Sequence, residues 1–232
     1  MQQPQYYRMP DDSLVLANDM QRRICIFNSS EDNVRFNDRI LTKIREHCQE
    51  HADKSNSVKH YNDQRRATKA KDDIYYGKCG EHIACAVLYK NGGFPPVAPD
   101  VKIYRNISDK MYETDLPFGQ KVPGYPDCGV KTCTEKTLSF MEKFTGERQM
   151  TWTFQLNDIN KRSGRDRLFQ ETGSSEPILF VYCDVALLSS KLVASAPWSK
   201  VHPLLKDPVS PKLKGVKKCL YFNDLIEINN QQ

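Results

Sequence analysis

Residues 111–133 carry an acid and a lysine in two short apolar segments, separated by a turn rich in glycine and proline. The acid is Asp115 and the lysine is Lys131. Segments of this kind predict neighbouring β-strands, and adjacent strands can hold a carboxylate and an ammonium side by side at a cleft. A carboxylate binds a divalent cation such as Mg²⁺, and a lysine can orient the attacking water. The pattern therefore predicts a metal-dependent phosphodiesterase site.

A second acid is expected, because one carboxylate makes a poor metal site. Glu81 precedes an apolar run at 83–89 that predicts a short buried helix. At helical spacing Glu81 shares a face with the apolar residues of this run, so it points inward. A buried carboxylate without a partner is costly. We therefore expect Glu81 to bind the metal or to pair with Lys131.

The order of these elements resembles that of the PD-(D/E)XK nuclease superfamily. In this chain the order is a helix with the inward acid Glu81, then the dipeptide Pro99-Asp100. A strand with Asp115 and a strand with Val130-Lys131 follow. The chain is most similar, over residues 75–154, to small restriction-endonuclease-like members from phages, viruses and bacteria. The resemblance implies an α/β fold with a restriction-endonuclease-like core, a mixed β-sheet flanked by helices. It also implies that Asp115 binds the metal and that Lys131 is the catalytic lysine.

The chain departs from this family at Gly129, where an Asp or Glu usually stands two residues before the lysine. Some members supply the carboxylate from the first core helix instead. Candidates for the missing acid are Glu81, which occupies that helix, and also Asp127 and Asp100. A competing register stays open, because residues 100–102 themselves read Asp-Val-Lys, and Asp100 would then lead the metal site with Asp115 in support.

The distribution of charge favours a polyanionic partner. The 232 residues carry a net charge of +5, which alone is a weak indication. Basic residues cluster in a polar arm or loop at about 51–73, after the predicted strand at 150–157, and at 212–218. Lysine and arginine contacts with phosphates would supply affinity for DNA that falls with salt. The candidate DNA-binding residues are Arg65, Arg66, Lys69, Gln155, Lys161, Arg162 and Arg165.

Eight cysteines and a polar N-terminal segment without signal-peptide features favour a reducing compartment. We therefore expect the protein in the cytoplasm or nucleus of a host cell and not outside it. A zinc site at Cys79, His82 and Cys85 is an alternative use of some thiols, but helical spacing would spread these side chains around the axis. No apolar run is long enough to span a membrane, so no membrane partner is expected.

The remaining pattern predicts a single nuclease domain over residues 1–232. Apolar residues recur at helical spacing within 36–48, so an amphipathic helix is expected there. Alternation at 151–154 predicts a half-buried strand, and the apolar run 178–188 predicts a core strand. A closing strand is expected at 217–222.

Together these features predict a Mg²⁺-dependent DNA endonuclease that uses one or two ions, for which Mn²⁺ can substitute. The resemblance implies a sequence-specific restriction-type enzyme acting on double-stranded DNA, and a homodimer where its site is palindromic. Two alternatives remain open. One is a structure-specific repair or recombination nuclease. The other is a DNA-binding protein of the same fold without catalysis, which the absence of an acid at Gly129 favours.

Overall fold

A computed structural model describes residues 10–27, 38–57, 67–97, 99, 114–156, 167–184 and 189–231. The α-helices are α1 (Pro10–Arg22), α2 (Asp38–Ser57), α3 (Ala67–Gly92), α4 (Phe118–Lys121), α5 (Glu135–Thr145), α6 (Trp198–Val201) and α7 (Phe222–Asn229). Short 3₁₀ turns lie at Arg167–Gln170, His202–Leu204 and Pro211–Leu213. The strands are β1 (Cys25–Ile26), β2 (Gly129–Thr134), β3 (Thr151–Gln155), β4 (Pro177–Asp184), β5 (Ser189–Pro197) and β6 (Lys217–Tyr221).

The main sheet is mixed and has the strand order β1-β5-β4-β2. Strands β2 and β4 are parallel, whereas β5 runs antiparallel to both β4 and β1. Strands β3 and β6 form a separate antiparallel pair. Helices flank this mixed sheet, so the predicted α/β class is confirmed.

Two apolar clusters lie on opposite faces of the main sheet, because successive side chains of a strand point to opposite faces. On the first face, Val130 and Leu179 pack with the buried residues of α1 and α3. On the second face, Cys133, Ile178 and Phe180 pack with β3, α6 and α7. Side chains of β2 are therefore divided between a face covered by α3 and a face that adjoins β3.

Helix α3 approaches β2 closely at a glycine. A Cβ atom on Gly80 would lie 2.0 Å from Oγ1 of Thr132, well inside van der Waals contact. Only a residue without a side chain fits between this helix and the strand in the present packing. The contact fixes the distance between α3 and β2 at Thr132, the residue after Lys131.

Several predicted elements are confirmed. The strand expected at 151–154 is β3, the closing strand is β6, and the amphipathic helix within 36–48 is part of α2. The core strand is β4, which ends at Asp184, and residues 185–188 lie outside the described part of the chain.

The helix around Glu81 is much longer than expected. It spans 26 residues, whereas the sequence predicted a short helix at 83–89. Both ends of the predicted polar arm at 51–73 are helical as well, since α2 ends at Ser57 and α3 begins at Ala67. Polar residues continue these helices because the apolar turns nearby are packed, those of α3 on the sheet and those of α2 on α3, and packing overrides weak local preference. In the described ranges, no helix combines the length and apolar character needed to cross a membrane.

Candidate active site

Strand β2 delivers Lys131 to the face of the sheet that adjoins β3. Lys131 lies opposite Phe180 of β4 in the parallel register, and its ammonium nitrogen lies 5.0 Å from the ring centroid of Phe154. The side chain is half-buried. Its apolar stem therefore packs along the sheet while the charged end lies over an aromatic ring, which is a favourable cation–π geometry.

A short antiparallel bridge brings Asp115 to the start of β2. Leu116 and Cys128 exchange both backbone hydrogen bonds at 3.0 Å, and the Thr114 hydroxyl donates to the Cys128 carbonyl at 2.9 Å. Asp115 Oδ2 then accepts a hydrogen bond of 2.7 Å from the backbone N–H of Val130. The acid is thus held against the middle residue of the Gly-Val-Lys sequence. Within the described residues it lies in a bend beside a single bridge, not in a regular strand.

A second carboxylate lies where the sequence lacks the expected acid. A Cβ atom on Gly129 would lie 3.6 Å from Oε1 of Glu176 and 3.9 Å from Oδ2 of Asp115. Glu176 immediately precedes β4, and parallel pairing places Gly129 opposite Ile178. The two carboxylates therefore approach one point in space, which a side chain at position 129 would fill.

Backbone hydrogen bonds hold Glu176 in this place. Its N–H donates to the Ser174 hydroxyl at 3.1 Å, and its carbonyl accepts from the Trp198 N–H at 2.9 Å. Sequence reasoning missed this acid because it stands far from Gly129 along the chain. The sequence does show an acid directly before the most apolar strand, β4. This acid points to the site only once β2 and β4 are known to be parallel neighbours.

Nearby acids affect the pKa of Cys128, the residue that directly precedes β2. Burial raises the pKa of its thiol well above the usual value, and the carboxylates of Glu176 and Asp127 raise it further. The thiol therefore stays protonated at neutral pH and is a poor nucleophile.

Glu81 lies on the other face of β2. It is buried and forms an ion pair of 2.6 Å with Lys78, one helical turn earlier. The neighbouring Gly80 lies against Thr132, whose side chain points away from the face that carries Lys131. The structure thus gives the inward carboxylate a charged partner in Lys78, whereas Lys131 projects from the opposite face of β2.

Asp127 has a structural role in the turn between the two predicted strands. Its Oδ1 accepts from the backbone N–H groups of Gly119 and Gln120 at 2.8 and 3.3 Å, and its Oδ2 accepts from the Gln120 side chain at 3.2 Å. Both oxygens therefore hold the turn that contains α4. This use makes Asp127 a weaker substitute for the missing acid than Glu176.

Most of the candidate DNA-binding residues lie outside the part of the chain that the structure describes. Outside the described residues lie Arg65, Arg66, Lys161, Arg162 and Arg165, together with the acid Asp100 of the competing register. Lys69 belongs to the first turns of α3. Gln155 ends β3 opposite Lys217, and its amide donates to the Val216 carbonyl at 3.3 Å.

The donor set fits Mg²⁺ better than it fits zinc. Among the described residues, no group of three or more His, Cys, Asp or Glu side chains is arranged to hold a metal ion, which counts against zinc at Cys79, His82 and Cys85. Mg²⁺, however, commonly uses one or two carboxylates and completes its shell with waters and substrate phosphates. Asp115 and Glu176, with the open space at Gly129 between them, meet that lower requirement.

In comparisons with known proteins, no family model, curated protein or solved structure matched the chain.

Proposed function

We propose that the protein is a Mg²⁺-dependent DNA endonuclease with a restriction-endonuclease-like fold. The observation that carries this proposal is the convergence of two carboxylates on Gly129, two residues before Lys131. In this site Asp115 and Glu176 hold the metal, and Lys131 is the catalytic lysine. Glu176 replaces Glu81 as second acid because Glu81 pairs with Lys78 on the opposite face of β2.

The chain positions these groups for phosphodiester hydrolysis. Bound Mg²⁺ supplies a Lewis acid and an activated water. The hydrogen bond from Val130 fixes the orientation of the Asp115 carboxylate. Residues 129 and 131 share a face and lie roughly 7 Å apart along the strand, so the Lys131 ammonium can approach a phosphate bound beside the acids. There it offsets the negative charge that builds on the scissile phosphate during in-line displacement.

The test is cleavage of plasmid and linear double-stranded DNA with Mg²⁺, Mn²⁺ or EDTA. Lys131→Ala, Asp115→Asn and Glu176→Gln should each lower the Mg²⁺-dependent rate roughly 10²-fold or more. Lys121→Ala removes an exposed lysine of α4 and serves as the matched control, which should cut like the wild type.

Glu81→Gln distinguishes the two assignments of the second acid. If it abolishes cutting while Glu176→Gln does not, the acid on α3 belongs to the site and the assignment made from Gly129 is wrong. If the wild type cuts no linear, supercoiled or branched DNA under any of these conditions, the nuclease proposal itself fails.

The type of nuclease follows from the products. Discrete fragments would indicate the restriction-type enzyme that we favour, whereas preferred cutting at junctions or flaps would indicate a structure-specific repair or recombination nuclease. Salt-sensitive DNA binding without cleavage would indicate a non-catalytic protein of the same fold, the alternative that Gly129 favours. A homodimer is proposed for the restriction-type enzyme, and sedimentation of the protein with a palindromic duplex tests it.

A further inference from the structure

A second cleft, separate from the proposed nuclease site, lies at the opposite end of β2. Its volume is about 550 Å³, within the range typical of small-molecule sites. It is lined by residues of α5, the segment before β3, the two central antiparallel strands and the start of α7: Leu138, Glu147, Arg148, Gln149, Met150, Tyr182, Lys191, Phe222 and Asn223.

The position of this cleft in the fold is one at which α/β proteins bind ligands. Tyr182 pairs with Cys133 near the carboxyl ends of the parallel strands β4 and β2. Ligands of open α/β sheets bind outside the carboxyl ends of the strands. Gly129, at the amino end of β2, is roughly 13 Å away along the strand. The cleft therefore has its own wall residues and does not share those of the acid pair.

A hydrogen-bonded network fixes one wall. The Tyr182 hydroxyl donates to Glu135 Oε2 at 2.8 Å, while Glu135 Oε1 pairs with Arg148, whose guanidinium also lies 3.5 Å from Glu142. Burial, followed by the hydrogen bond to Glu135, raises the pKa of Tyr182, so its phenol stays a donor. The aromatic ring and the Arg148 side chain are thus held in place before a ligand arrives.

The positive charge available to a ligand comes mainly from Lys191. Two glutamates neutralise Arg148, as described above. Lys191, in contrast, has no carboxylate partner among the described residues, and its ammonium nitrogen lies 6.0 Å from the ring centroid of Tyr182. One uncompensated cation beside an aromatic ring suits a ligand that carries an anionic group next to a planar group.

The remaining polar lining consists of two side-chain amides and the exposed carboxylate of Glu147. Asn223 is exposed at the first turn of α7 and Gln149 is half-buried before β3. Each side-chain amide can donate and accept hydrogen bonds at once, as the edge of a nucleobase requires. Phe222, which packs against Trp152 in the core, adds a second ring to the lining.

We propose that this cleft binds a nucleotide. The base stacks on the aromatic wall and is read by the two amides, and the phosphate is bound by Lys191. The same chemistry is offered by a free nucleotide and by a nucleotide within a single strand of nucleic acid. The proposal does not depend on the nuclease function, because it uses none of Asp115, Glu176 or Lys131.

The test is calorimetric titration of the whole protein in EDTA, so that cleavage plays no part. The probes are the four deoxynucleoside 5′-monophosphates, inorganic phosphate and a deoxytrinucleotide. Lys191→Ala should weaken mononucleotide binding roughly tenfold or more, as expected for loss of a charge-assisted hydrogen bond. Lys200→Ala, which removes an exposed lysine of α6, is the matched control and should change nothing.

Asn223→Ala gives a second readout at an exposed position where folding is not at risk. It should reduce the discrimination among the four bases and leave affinity for inorganic phosphate unchanged, with Asn230→Ala as its control. Tighter binding of the trinucleotide, weakened by the same two substitutions, identifies a strand as the source of the ligand. Equal or weaker binding of the trinucleotide identifies the free nucleotide.

Three results overturn the proposal. One is the lack of any heat of binding with millimolar mononucleotides. Another is inorganic phosphate that binds as tightly as the mononucleotides, since the base would then contribute nothing. The last is mononucleotide binding that neither Lys191→Ala nor Asn223→Ala alters, because the ligand would then occupy another place.

Discussion

Gly77 and Gly80 provide a matched pair for testing the contact that sets α3 above β2. Both lie inside α3, one turn apart. A Cβ on Gly77 meets nothing within 4 Å, whereas a Cβ on Gly80 would lie 2.0 Å from Thr132 Oγ1 and 3.1 Å from Thr132 Cβ. Replacing glycine by alanine in a helix gains about 0.8–1 kcal/mol in propensity. Only at Gly80 is that gain opposed by a clash with the sheet.

The expected outcomes have opposite signs. Gly77→Ala should raise the free energy of unfolding by up to about 1 kcal/mol. Overpacking a well-filled contact costs typically about 1–3 kcal/mol, and an approach of 2.0 Å belongs in the upper part of that range. After a propensity gain of about 1 kcal/mol, Gly80→Ala should therefore lower the free energy of unfolding by about 1–2 kcal/mol. For a chain of this size that corresponds to a loss of roughly 2–8 °C in Tm. Urea and thermal denaturation measure both variants against the wild type.

A double-mutant cycle checks the cause. Thr132→Ala removes the nearest oxygen but leaves its Cβ, so combining it with Gly80→Ala should restore only part of the lost stability, with a coupling energy of about 1 kcal/mol. If Gly80→Ala proves as stable as Gly77→Ala, the close approach of α3 to β2 is wrong. The placement of Glu81 on the face away from Lys131 would then lose its basis.

Three further predictions concern polar groups that are buried or half-buried. Lys78→Met should lower the free energy of unfolding by about 3 kcal/mol or more, because it removes the ammonium that pairs with the buried Glu81 carboxylate, and adding Glu81→Gln should recover part of that loss in urea denaturation. Asp127→Ala should cost about 1–2 kcal/mol through its lost turn hydrogen bonds, measured the same way. Burial, with His47 and Lys78 nearby, lowers the pKa of His82 to about 4. Since the unfolded chain then binds the proton more readily, stability should fall by up to about 3 kcal/mol as pH drops from about 6.5 to 4, and His82→Gln should flatten that part of the profile.

Local patterns predicted the elements whose signal lies within a few residues. Alternation identified β3, and the apolar run identified β4, because each strand buries one or both faces along its whole length. The length of α3 could not be predicted this way. Its first turns are polar and lack a periodic apolar face, and tertiary packing near its other end sustains the helix. Lys131 was placed correctly on a strand because the segment around it has a clear strand pattern.

Long-range pairing determined what local patterns could not. Nothing near Gly129 in the sequence indicates Glu176, because the two become neighbours only through the parallel register of β2 and β4. The same register explains why an acid at position 129 and the acid at position 176 would exclude each other. A Cβ atom at position 129 would lie 3.0 Å from the Ile178 side chain, and an acidic residue there would add a further negative charge next to Glu176 and Asp115. In the site that we propose, the glycine at 129 leaves room for the carboxylate of Glu176, so the second acid comes from the segment before β4 and not from β2.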